Sequence, residues 1–166
     1  MKKSVRVAAV LLLLLAVLAG CTKGAEDPFS VFCGGFCADV VGELNGVAFS
    51  AVVKADAVTA AGLLPLTVTF YAPSGLSGTV LRREADGRVS LLAGDVLLRD
   101  LENADFLALF SLFPVSGEVI EVGLESSGQT RVVFQGGSLL LLPDGTPHAL
   151  EGGGGQVRVL SFTAGE

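Results

Sequence analysis

The 166-residue sequence predicts an α+β fold that is mostly β: a strongly curved antiparallel sheet, a half-barrel, with one apolar helix packed on its concave face. Turn signals recur about every eight to twelve residues between runs of alternating apolar and polar side chains, which is the pattern of short antiparallel strands. Glycine, at 22 residues, supplies many of those turns. One segment, residues 100–113, abandons the two-residue period for helix-forming composition.

Residues 36–44 and 47–56 flank Asn45-Gly46, a strong hairpin signal because both turn positions need positive φ. A two-residue loop sets the register, pairing Leu44 with Val47, Gly42 with Phe49, Val40 with Ala51 and Ala38 with Val53. One face then carries Phe36, Ala38, Val40, Leu44, Val47, Phe49 and Val53. The other carries Asp39, Glu43, Ser50 and Lys54. Leu66-Thr67-Val68-Thr69-Phe70-Tyr71 alternates up to Ala72-Pro73, so a third strand turns Leu66, Val68 and Phe70 inward. Residues 79–85 and 88–93 lie either side of Asp86-Gly87 as a second hairpin, and Gly94-Asp95 leads into a short strand at residues 96–99.

The stretch DLENADFLALFSLF, residues 100–113, offers Asp100 as a cap, acids in its first turn and Pro114 as a stop. Residues 106–113 are apolar nearly all round, so this helix is expected to be buried on several sides. Strands resume at residues 118–125, 129–135 and 138–142. Residues 143–147 and 152–155 are expected as loops, and residues 156–163 as the last of about ten strands.

The first six residues carry Lys2, Lys3 and Arg6, and residues 7–20 hold no polar side chain. That is a secretory signal, too short for a span of roughly 20 residues. Leu18-Ala19-Gly20-Cys21 resembles the lipobox of bacterial lipoproteins, with cleavage between Gly20 and Cys21 and a diacylglycerol on the Cys21 sulfur. The bland alternative is an ordinary secretory signal with a structural cysteine, or a retained anchor. Residues 1–20 are thus the expected signal peptide, 21–30 a flexible tether with lipidated Cys21, and 31–166 a single domain. The expected location is a cell membrane or outer membrane, with the protein lipid-anchored and facing the extracytoplasmic side.

Removing residues 1–20 takes three of the 11 bases and none of the 17 acids, which leaves a formal charge of −9. Such a field opposes nucleic acid and anionic membrane surfaces, so no nucleic-acid partner is expected and the lipid must supply attachment.

The lipobox, the early hairpin FCADVVGELNGVAFSAVV, the strand and turn LTVTFYAPSGLSGTV and the central helix together resemble small envelope lipoproteins related to the LolA/LolB-like half-barrel. Pro73, Leu76 and Gly78 carry the local match, and the general resemblance covers about residues 36–163. It implies an incomplete antiparallel barrel around helices, with an apolar concavity that in some members holds acyl chains.

Cys33-Gly34-Gly35-Phe36-Cys37 is one residue longer than the Cys-x-x-Cys of thioredoxin-like proteins and precedes a hairpin, so redox chemistry is disfavoured. Two thiols and the lone His148 make a poor metal set. The remaining readings are a disulfide between Cys33 and Cys37, favoured outside the cytoplasm, or two free thiols. His148 has no nucleophile nearby in sequence, the acids are scattered singly, and the Gly152 to Gly155 run lacks the lysine and helix of a phosphate loop.

No catalytic residue, metal or cofactor is therefore expected. The expected function is a non-enzymatic structural or adaptor role through an envelope protein. The alternative is binding of an acyl chain or other hydrophobic ligand, lined by Phe49, Phe70, Phe106, Leu109, Phe110 and Phe113.

Overall fold

The structure, a computed structural model, describes residues 27–101 and 107–165. The segment expected as a signal peptide, with Gly20, Cys21 and Phe106, lies outside the described residues. Two meanders make up the sheet. The first holds β1 (Phe36–Leu44), β2 (Val47–Ala55), β3 (Leu66–Ala72), β4 (Val80–Arg83), β5 (Val89–Ala93) and β6 (Val96–Arg99). The second holds β7 (Val119–Leu124), β8 (Thr130–Phe134), β9 (Gly137–Leu141), β10 (Pro147–Gly152) and β11 (Gly155–Ala164). They join through an antiparallel β1·β11 pair, giving one open sheet in the order β6-β5-β4-β3-β2-β1-β11-β10-β9-β8-β7. The first and last strands of the chain thus meet at the centre, and mid-chain strands form both free edges.

The β1·β2 register is the expected one, from Leu44↔Val47 through Ala38↔Val53. Asn45 and Gly46 take φ of 50° and 81°, as a two-residue turn matched to strand twist requires. Burial alternates along the strands: Phe36, Ala38 and Val40 of β1 are buried, as are Phe49, Ala51 and Val53 of β2. Val47, expected on that inner face, is 52% exposed because it stands at the tip of the hairpin. The second hairpin and the short strand β6 form where the turn residues place them.

Three features differ from expectation. The long helix is reduced, among the described residues, to one turn, α2 (Ala108–Ser111). Asp100 adopts φ 53°, and the Leu101 N–H donates to Val89 O, so the chain is still tied to β5 where a helical cap was expected. An unexpected turn, α1 (Ser30–Cys33), precedes β1. The Asp27 carboxylate accepts the Phe29 N–H at 3.0 Å, and Phe29 is buried, so residues 27–30 belong to the fold although they read as tether. Finally, β10 fills a stretch bracketed by loop signals. Pro147 opens it, the position at which a strand tolerates a missing N–H, and a register shift follows between Pro147 and Ala149.

One apolar cluster joins the inner face of the sheet to both helical turns and reaches from Val89 in β5 to Val132 and Phe134 in β8. Its centre is aromatic. Phe32 lies edge-on to Phe36, Phe113 and Phe162 at 5.4, 6.1 and 6.4 Å, and Phe29 meets Phe134 at 5.3 Å. Edge-to-face pairs of this kind add about 0.5–1.5 kcal/mol each beyond the area they bury.

Candidate functional site

The residues expected to line a ligand cavity are packed against one another. Phe49 and Phe70, on neighbouring strands, meet at 5.8 Å with their rings 74° apart. Leu109, Phe110 and Phe113 of the α2 region are at most 4% exposed. The Phe113 ring lies 5.6 Å from Phe36, and the Arg83 guanidinium covers Phe110 at 4.8 Å.

Open apolar surface lies elsewhere. A depression of about 360 Å³ separates α1 from β7, β8 and β9, lined by Pro28, Val31, Val119, Val122, Val132 and Leu141. On the opposite face, a hollow of about 410 Å³ over β4, β5 and β6 sets Val80, Leu92 and Leu97 among Arg82, Arg88 and Arg99. Both lie beside a free edge of the sheet.

Those two edges carry most of the exposed large apolar side chains among the described residues. In β6, Val96, Leu97 and Leu98 are 47–60% exposed, and in β7 Ile120, Val122 and Leu124 are 62–79% exposed. The strand pattern was legible in sequence, but its exposure was not, because period-two alternation does not tell a terminal strand from a central one.

Polar chemistry is sparse. Arg83 Nε donates to Leu64 O at 2.9 Å, and burial lowers the guanidinium's pKa. Asp86 is held below the usual carboxylate value by the Arg88 N–H, and its carboxylate in turn raises Arg88. Asp144 is lowered by the Thr146 N–H that it accepts at 2.9 Å. All of these are turn or packing contacts. Among the described residues no three His, Cys, Asp or Glu side chains converge as a metal site. His148 sits half-buried in β10.

Cys33 and Cys37 are free thiols in this structure. Cys33 Sγ points toward Phe29 O at 3.5 Å and Val115 O at 3.8 Å, whereas Cys37 is exposed in β1 opposite Lys54. The expected disulfide is therefore not formed here, since one thiol turns into the α1 contact and the other belongs to the outer face of the strand. No helix among the described residues is long and apolar enough to cross a membrane.

The chain shares its fold with an uncharacterised conserved protein from Thermus thermophilus. The alignment covers 81% of each chain at 16% identity and a TM-score of 0.53, a likeness of fold alone. MucB aligns at 16% identity with a TM-score of 0.44 over 88% of this chain and 60% of its own. The Pseudomonas aeruginosa MucA/MucB complex gives 17% identity and 0.40 over 80% and 52%. The chain thus spans less than two thirds of the length of these two. No protein-family profile matches the sequence. No curated protein matches it either.

Proposed function

We propose that this chain is an extracytoplasmic lipoprotein, anchored through Cys21, whose half-barrel domain is a non-enzymatic adaptor acting through protein contacts at the edges of its sheet. One observation carries the reading: Phe49, Phe70, Leu109, Phe110 and Phe113 fill the interior. A site for a greasy ligand at the sheet centre would need that volume. Most of the exposed large apolar side chains among the described residues are on β6 and β7 instead, in patches of the kind that mark interaction surfaces.

The anchor reading is supported by the basic and apolar segments and the lipobox resemblance at residues 1–21, since the acidic head is repelled by an anionic membrane surface. Metabolic labelling of the full chain with a fatty acid, in a bacterium that processes lipoproteins, tests it. Label retained on Cys21→Ser protein would overturn the anchor.

A second reading keeps a specific observation, the apolar depression between α1 and β7 to β9, whose 360 Å³ reaches the lower range of small-ligand sites. Native mass spectrometry of the full chain separates the two. A stoichiometric lipid beyond the Cys21 acyl groups, lost in Val122→Asp, favours ligand binding. Its absence favours the adaptor.

A further inference from the structure

We propose that the two free edges of the sheet are complementary to each other, so that β6 of one copy docks against β7 of a second copy of this chain. This does not rest on the lipid anchor or on the adaptor reading. It follows from comparing the two edges face by face.

On the core side, register places Val96 and Leu98 of β6 next to Ala93 and Leu91. On the same side β7 presents Val119, Val122 and Leu124, opposite Phe134, Val132 and Thr130. Both edges therefore offer a row of branched apolar side chains, and Val122 and Leu124 are 62% and 79% exposed. On the outer side, β6 presents Leu97 and Arg99, and β7 presents Glu121 beside Gly123. Joining β6 to β7 with the faces matched continues the apolar row on the inside and brings Arg99 and Glu121 to the same outer surface.

Charge selects this junction over the alternatives. Among the described residues the ion pairs are Arg82–Glu84, Arg88–Asp86, and Arg131 with Glu125 and Glu151. Arg99 and Glu121 take part in none of them. Pairing β7 with another β7 would gather Glu118, Glu121 and Glu125 against the same three carboxylates, and like charges across strands are destabilising. An anionic membrane is disfavoured at β7 for the same reason.

The strands themselves leave the edges open. Natural sheets blunt their edges with lysine, proline or bulges. Neither β6 (VLLR) nor β7 (VIEVGL) contains lysine or proline, and the β7 bulge lies between Val119 and Glu121, leaving Val122–Leu124 regular. Eleven antiparallel strands also leave β6 and β7 running the same way, so the junction with matched faces is a parallel pair. A contact between unlike edges is heterologous: it closes as a ring or propagates as a chain.

The test is sedimentation of the full chain in detergent across a concentration series. Self-association is expected, and Leu98→Lys and Val122→Lys, each putting an edge lysine into one half of the junction, are each expected to weaken it at least about tenfold. Arg99→Glu and Glu121→Arg are exposed substitutions that leave the melting transition in place. Each alone weakens association about threefold, and an equimolar mixture of the two recovers it. A wild-type chain that stays monomeric overturns the proposal, and so do variants that associate undiminished or a mixture that fails to recover. Loss of association in the β6 variants alone would point to pairing of like edges and overturns it too. So would a pure monomer whose β6 cross-links in cells to a different envelope protein.

Discussion

The Arg83 guanidinium lies 4.8 Å above the ring of Phe110, with its Nε donating to Leu64 O at 2.9 Å. A strand residue on the core side thereby ties α2 to the loop before β3. Arg83→Met keeps the stem volume but loses both contacts, at an expected cost of about 1–2 kcal/mol in urea denaturation. Arg83→Lys keeps a charge over the ring without the planar fork, so it should cost less than methionine. Equal costs would deny the ring contact any part.

Phe113 decides between packing and ligand lining. Its ring touches Phe32 and Phe36 and is 3% exposed. As a packed core residue, Phe113→Ala should destabilise the fold by about 3–5 kcal/mol. A change below about 1 kcal/mol would instead indicate a residue facing an open pocket.

Gly42 shows how closely the central strands approach. A Cβ there would lie 2.3 Å from Gln156 O and 3.1 Å from the Phe49 ring. Gly42→Ala should therefore cost about 1–3 kcal/mol in the same measurement, whereas Gly75→Ala, where nothing lies within 4 Å, should be nearly neutral.

Asp144 predicts a pH dependence with a definite sign. Its carboxyl is held below the ordinary 3.8 by the Thr146 N–H. A depressed folded value stabilises the fold at pH above the unfolded value and loses that contribution as pH falls through the folded one. The difference in melting temperature between wild type and Asp144→Ala should thus be constant from neutrality to about pH 5 and shrink below about pH 4. A difference that grows with acidification would overturn the assignment.

Thiol reactivity should follow exposure. Cys37 on the outer face of β1 is expected to alkylate before Cys33, whose sulfur turns toward Phe29 O and Val115 O. No labelling of either cysteine until reductant is added would instead support the disulfide.

Much of this architecture is written locally in the chain. Asn45-Gly46 and Asp86-Gly87 set turns whose geometry is contained in two residues, and alternation around Asn45-Gly46 assigns Ala38, Val40, Phe49 and Val53 to the core side, where they are buried. The resemblance of residues 18–21 to a lipobox is likewise carried by a linear segment. Other outcomes depended on distant partners. Asp100 does not act as the expected helix cap because the Leu101 N–H donates to Val89 O. The strand opened by Pro147 exists because β9 and β11 lie ready on either side of it. Phe29 left the tether for the core because Phe134, over a hundred residues away in the chain, offers it a ring edge. Which apolar residues end up in water, at Leu98 and Val122, was settled by sheet order alone. Periodicity records that a side chain has an apolar face, but what covers that face is a long-range contact, formed only when the two meanders meet at β1 and β11.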